Sequence, residues 1–237
     1  MNKFFFLWIA LISDLALARV HVITERVVPA NQDFCDAGLS QFSRILRTLG
    51  YCFDYQELKT ILPKSFQMHS SWLGSFEWGP TTSQIINHSD RLLEYLKTKE
   101  RNCQMTKITS FELLNPASLD DLIQCIDQQS HSLVLIHPGH FNHYFGIQIP
   151  ALHYVIPVNY REVGNKIISI SVMEVDGTIK EYDTHLFKTW WQQWFLDLND
   201  WKLITLKWIF SEFFNAQITS EPYLKGGTLF IVHTDID

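Results

Sequence analysis

Basic residues are scarce in this chain. Lys and Arg number 19 against 25 Asp and Glu, the net charge is −6, and no run of basic residues would track a phosphate backbone. Nucleic acid is thereby excluded as the expected partner. Charge of either sign is modest at 19% while apolar residues reach 46%, so the 237-residue chain lacks the polar excess of a disordered segment and can bury one sizeable core or at most two. It has no internal repeat and no low-complexity linker. Beyond the N-terminus no stretch is long and apolar enough to span a bilayer. There is no Cys-x-x-Cys pair of the kind that holds a structural metal, and Ser40, Ser43 and Ser83 have no nucleophile-elbow context. Aromatic residues, by contrast, are abundant at 14%, eight of them Trp, which implies a dense core or an apolar groove for an extended ligand.

The first eighteen residues read as an export signal. Met1-Asn2-Lys3 supplies a positive head, Phe4 to Ile12 is continuously apolar, and Ala16-Leu17-Ala18 places small residues where a signal peptidase cuts. Asp14 interrupts the apolar run short of the ~20 residues a membrane anchor needs. Cleavage after Ala18 leaves residues 19–237 as one soluble domain, secreted or periplasmic, with no membrane attachment. Cys35, Cys52, Cys103 and Cys125 then meet an oxidising environment, where an even count suits two disulfides or else inert buried thiols. A helix between Cys35 and Cys52 would hold them roughly 20 Å apart, against ~6 Å between bridged Cα atoms, so those two do not pair.

Helical periodicity runs from Gly38 to Leu49, with Leu39, Phe42, Ile45, Leu46 and Leu49 on one stripe, Arg44 and Arg47 off it, and Gly50 as the stop. Further helices are expected over Tyr55 to Leu62, stopped by Pro63, over Thr82 to Lys97, and over Ser118 to Asp127, where Ser118 and Asp121 form a capping pattern. Past Ser130 the texture becomes β-branched: Leu133 to Ile136, Tyr154 to Val158, Lys166 to Val175, Thr178 to Tyr182 and Leu229 to Val232 read as strands, with a hairpin near Gly164-Asn165. Thr184 to Leu196 reads as a helix laid across that sheet. The order predicts an α+β fold, an N-terminal helical part packed on a C-terminal antiparallel sheet.

Asn31-Gln32-Asp33-Phe34-Cys35-Asp36-Ala37-Gly38-Leu39, followed by Arg44-Ile45-Leu46-Arg47-Thr48-Leu49-Gly50, resembles the opening of papain-like cysteine peptidases of the C39 type, in which an Asp-Cys-Gly opens a helix ending in Leu-Arg-x-x-Gly. His153-Tyr154-Val155 resembles that family's catalytic His at a strand start. Val175-Asp176-Gly177, with Leu186-Phe187 and Trp190 beyond, resembles its Asp-Pro-x-x-Gly turn and the helix after it. The likeness covers most of the chain after residue 18. It implies a papain-like fold in which a thiol, biased toward thiolate at a helix N-terminus, passes its proton to His153, Asp176 orients the imidazole, and an upstream side chain steadies the oxyanion.

The family's Cys falls on Ala37 and its upstream Gln on Asn31, with Gln32 one place out of register. A methyl group attacks no carbonyl. The resemblance therefore implies a pseudopeptidase that keeps a peptide-binding cleft and binds a peptide or protein segment, without cofactor or metal. The rival is an active thiol hydrolase using Cys35, two positions before Ala37, with His153 and Asp176; Cys35 as a disulfide half and Asp36 as a helix cap are the plainer readings. His137-Pro138-Gly139-His140-Phe141-Asn142-His143 holds three imidazoles in seven residues. It reads as a solvated loop, with metal binding or a purely structural envelope role as a further alternative, and with His140 or His143 as rivals to His153. Trp190, Trp191, Trp194, Trp201 and Trp208 line either a groove or, as aromatic residues on a covering helix more often do, the core.

Overall fold

The structure is a computed structural model that describes residues 37–62, 66–70, 74–78, 80–99, 106–139, 141–144, 147–150, 152–193, 195–197, 217–218 and 223–235. The proposed signal, residues 1–18, lies outside these.

Helix α1 (Ala37–Thr48) is the most enclosed of the helices. Leu39, Phe42, Ile45 and Leu46 are buried as their spacing demands, but so are Ser40, Gln41, Ser43 and Arg44. The expectation that Arg44 lies off the buried stripe is thus corrected: the helix is covered on several sides, and its polar residues find partners inside the fold. It ends in a Schellman motif. Tyr51 N–H donates to Leu46 O at 3.0 Å and Gly50 N–H to Arg47 O at 2.9 Å, with Gly50 at φ +91°, a conformation that costs glycine little. Helix α2 (Tyr55–Ile61) starts at an Asp54 cap and stops where Leu62, preceding Pro63, is forced extended. Strands β1 (Phe66–Ser70) and β2 (Gly74–Trp78), absent from the expectations, form a hairpin. The single helix expected over Thr82 to Lys97 is two, α3 (Thr82–Asn87) and α4 (Ser89–Lys99). The break is at His88, whose φ of −113° and ψ of 17° leave the helical well and whose Nδ1 lies 3.0 Å from Gln84 O.

Strand β3 (Ile108–Leu114) precedes α5 (Leu119–Asp127), which opens on the expected capping box: Asp121 N–H donates to Ser118 Oγ at 3.1 Å and Ser118 N–H to Asp121 Oδ2 at 2.7 Å. Then come β4 (His131–Ile136), the short hairpin β5 (Phe141–Tyr144) and β6 (Ile147–Pro150), β7 (His153–Val163), β8 (Lys166–Met173) and β9 (Ile179–Asp183). The β7–β8 turn places Gly164 at φ +55° and Asn165 at +60°, the pair of left-handed residues a two-residue hairpin turn requires. Helix α6 (Thr184–Gln192) is shorter than expected and gives way to β10 (Phe195–Asp197), which pairs with β12 (Tyr223–Lys225); β11 (Gln217–Ile218) joins β1, and β13 (Leu229–Thr234) enters the main sheet.

That sheet has six antiparallel strands in the order β3-β13-β4-β7-β8-β9. The two-residue period of its strands divides the core. Leu133, Ile156, Met173, Phe230 and Val232 face α1 to α4, while Val134, Val155, Ile170, Val172 and Ile231 face α5 and α6. The fold is therefore α+β with helices on both faces. The unbroken apolar run Leu133 to Ile136 records this, since a strand covered on one face alone would alternate. β3 escaped notice because Thr109, Ser110 and Glu112 are the polar residues of an edge strand.

Candidate functional site

His153 opens β7 opposite Ile136, the last residue of β4. On its other side the β7–β8 ladder reaches only Ile156 opposite Met173. Past that pair the ladder ends, and the side chains of His153 and Glu174 meet. Imidazole Nε2 lies 3.1 Å from Glu174 Oε2, the Tyr182 hydroxyl donates to Glu174 Oε1 at 2.6 Å, and Lys180 Nζ is 3.7 Å from the same oxygen. Burial pushes the Glu174 carboxyl up, but hydrogen bonds from His153 and Tyr182 and the nearby positive charges outweigh it and hold the group below the usual carboxylate range. Burial and the Glu174 charge together push the Tyr182 phenol up, so it stays a donor. An ionised carboxylate only accepts, so Nε2 is the nitrogen that donates to Glu174. Glu174 is 10% exposed and His153 29%, a wall facing solvent on its imidazole side.

The carboxylate on His153 is thus Glu174 and not Asp176. Asp176 Oδ1 accepts from Thr178 N–H at 2.9 Å and from Thr178 Oγ1 at 2.6 Å, which shapes the exposed turn after β8. Gly177, at φ +83°, closes that turn by donating to Glu174 O at 2.9 Å. Hydrogen bonds from Thr178 hold the Asp176 carboxyl below its ordinary range. The carboxylate bonded to His153 stands two residues before the Asp of the Val-Asp-Gly phrase.

Helix α1 meets this strand end on the other face of the sheet, where Tyr154 packs with α1 to α4, while Tyr182 and Trp190 pack with α5 and α6. A Cβ on Gly38 would lie 2.8 Å from two ring carbons of Tyr154, so only glycine lets the start of the helix rest on the residue that follows His153. The Tyr154 hydroxyl accepts from Thr82 N–H at 3.3 Å, which fixes the ring against α3 as well. Deeper in the helix, Gln41 Nε2 donates to Met173 O at 2.9 Å and to Tyr154 O at 3.3 Å. Arg44 donates to Gln41 Oε1 at 2.9 Å, to Glu174 O at 3.0 Å and to Val175 O at 3.0 Å. On the far side Tyr182 meets Trp190 edge-on, with ring centroids 5.0 Å apart, and Trp190 O accepts from His137 N–H at 2.8 Å. Glu174, Tyr182, Gln41 and Arg44 were not singled out in the sequence; Gln41 and Arg44 lie off the apolar stripe of α1, where a polar residue gives no signal.

Ala37 is the first residue of α1. Asn31, Gln32, Cys35 and Asp36 lie outside the described residues, as does His140. The segment expected as a solvated His-rich loop contains β5, in which His143 pairs with Gln148. Among the described residues no three His, Cys, Asp or Glu side chains are grouped to hold a metal ion. Cys52 is disulfide-bonded to a partner outside the described residues, and Cys125 is a buried thiol of α5, so the four cysteines do not form two disulfides. Trp191 is core, Trp190 is half-buried against Tyr182, and Trp194, Trp201 and Trp208 lie outside the described residues. No family model, curated protein or solved structure matches the chain.

The lowered Glu174 carboxyl has a pH signature. A carboxyl whose folded value lies below its unfolded one, near ~4.3, contributes stability above that unfolded value and loses it as pH falls through the folded value. Glu174→Gln removes a charged hydrogen-bond acceptor from His153 and Tyr182 and is expected to cost about 1.5–3 kcal/mol at pH 7. The gap from wild type should narrow below pH ~4. Chemical denaturation at pH 7 and pH 3.5 checks this; an equal gap at both would show that Glu174 does not titrate as described.

Proposed function

We propose that the chain is a secreted protein of papain-like, C39-type build that binds a peptide segment without hydrolysing it. In this reading Ala37 occupies the nucleophile position, Asn31 the oxyanion position, and His153 with Glu174 the base and its orienting carboxylate. The observation that supports it is the carboxylate-held imidazole at the head of β7, one residue before the Tyr154 on which the start of α1 rests through Gly38. Such a pair is suited to take a proton from a thiol or hydroxyl at a helix N-terminus. Alanine has no proton to give, and loss of a nucleophile removes on the order of 10⁶ in rate in a well-studied triad. What such a corner retains is binding: backbone N–H groups at the helix start and a hydrogen-bonding imidazole are groups that hold a peptide carbonyl.

Incubation with a mixture of fluorogenic peptides, together with heteronuclear NMR of the labelled protein, tests this. Hydrolysis should stay at background, and saturating peptide should shift the amide signals of Gly38, Thr82, Tyr154 and Glu174. Peptide-dependent shifts elsewhere, or none, would overturn the proposal. Hydrolysis blocked by iodoacetamide at Cys35 would establish the active thiol hydrolase instead.

A further inference from the structure

Helix α1 buries two long polar side chains, and their bonds are distributed in an uncommon way. β7 and β8 exchange ladder bonds as far as Ile156 and Met173 and no further. Where the ladder stops, the Gln41 carboxamide stands in for it. Its Nε2 donates to one carbonyl on each strand, Tyr154 O beside His153 and Met173 O beside Glu174. The two N–H groups of the amide account for both bonds, and a reversed amide would aim its oxygen at two carbonyls, so the orientation follows from the network. The Gln41 oxygen in turn accepts from Arg44, whose planar fork also grips the backbone of Glu174 and Val175. Four consecutive or flanking points of the two strands that carry the imidazole and its carboxylate are thereby tied to residues one helical turn apart.

Packing alone would not select this arrangement. A buried polar network is commonly matched or bettered in stability by apolar side chains of similar volume. Arg44, 2% exposed, also leaves its buried Nε–H without a hydrogen-bond acceptor, and desolvation pulls its guanidinium down from the ordinary value against the opposing charge of Asp176. What the network does fix is geometry: how far the end of β7 stands from the end of β8, and where both stand relative to the start of α1.

We infer that Gln41 and Arg44 are positioning residues, which set the separation of the His153 imidazole from the Glu174 carboxylate and lock that pair to helix α1. The inference rests on reading the His153–Glu174 corner as the site, as under the proposed function, and names what holds that site together. It assigns neither residue a contact with a ligand.

The test is a carboxyl ¹³C NMR titration of Glu174, its resonance assigned by loss in Glu174→Gln, in the wild type, Gln41→Met and Arg44→Lys. Gln41→Met keeps the length and removes both N–H donors; Arg44→Lys keeps the charge and removes the fork. Glu174 should titrate higher in both variants, moving back toward the ordinary carboxylate range as its bond to His153 loosens, and alkylation of a thiol installed by Ala37→Cys should slow about tenfold or more in the same backgrounds. Lower thermal stability with Glu174 titrating at its wild-type position would overturn the inference and leave the two residues as structural. Should Gln41→Met fail to fold, Gln41→Asn, one methylene too short to bridge the strands, replaces it under the same criterion. The titration needs no ligand, so an absence of peptide binding would count against the proposed function while leaving this result to stand by itself.

Discussion

Ala37→Cys is expected to create a thiol that iodoacetamide alkylates rapidly even in mild acid. An unassisted cysteine has a pKa near ~8.5 and is only about 0.03% thiolate at pH 5, whereas one paired with His at a helix N-terminus falls to about 3.5–4 and is almost fully ionised there. Lower basicity dulls the sulfur by roughly 100-fold on a Brønsted slope of ~0.45. The gain in thiolate outweighs that loss, and the net advantage at pH 5 is about 30-fold over an ordinary exposed thiol. The pH profile carries more information than the rate. For an ordinary thiol the alkylation rate falls tenfold per pH unit in acid; at position 37 it should stay nearly flat from pH 8 to pH 5, and His153→Ala in the Ala37→Cys background should restore the ordinary slope. Fragment-ion mass spectra separate position 37 from Cys35 on the same tryptic peptide. Flat alkylation at Cys35 in the wild type, lost with His153→Ala, would transfer the chemistry to that residue and make the chain an enzyme.

Trp191→Ala is expected to produce the largest loss of stability of any single substitution considered. The indole is fully buried, packs on Phe187 at a centroid distance of 5.9 Å, and donates through Nε1 to Thr228 O at 2.9 Å. Its backbone is equally committed: Gly227 N–H donates to Trp191 O at 2.7 Å, and a Cβ on Gly226 would collide with that carbonyl at 2.4 Å. Truncating such a side chain costs about 3–5 kcal/mol, or roughly 6–20 °C in Tm for a chain of this size. The same substitution loosens α6, which carries the Trp190 ring packed on Tyr182, and Tyr182 is the donor to Glu174. Thermal unfolding followed by circular dichroism measures the effect; a fall of less than about 1 kcal/mol would mean that α6 does not close the second face of the core.

The fold was legible where one residue type has one use. Gly50 after an apolar stripe, Ser118 three residues before Asp121, and Gly164-Asn165 between β-branched runs each correspond to a single backbone event, and each stands where its chemistry placed it. Short strands such as β1, β2 and β10 left no such mark, since their existence depends on which other segment lies alongside. The break at His88 was hidden for a similar reason: a side chain competing for Gln84 O is invisible in a periodic pattern that continues unbroken through Leu92. At the site, the His at the head of β7 was legible from the strand that follows it. Its carboxylate was not. Asp176 and Glu174 are both acidic, both next to the turn, and differ only in which way a strand end points them: Asp176 into its own turn with Thr178, Glu174 across to the next strand. Arg44 shows the same limit, because a guanidinium off an apolar stripe reads as solvated until the carbonyls that surround it are seen.

The proposal turns on the distance between the first residue of α1 and the imidazole at the head of β7, and a nuclear Overhauser effect reads it without any reactive group or ligand. In the wild-type protein, uniformly labelled, the Ala37 methyl protons should show a cross-peak to the imidazole ring protons of His153, alongside the Gly38–Tyr154 contact. A spectrum in which Gly38 contacts Tyr154 while the Ala37 methyl shows cross-peaks to other residues and none to His153 would contradict the proposal that position 37 is a vacated nucleophile site.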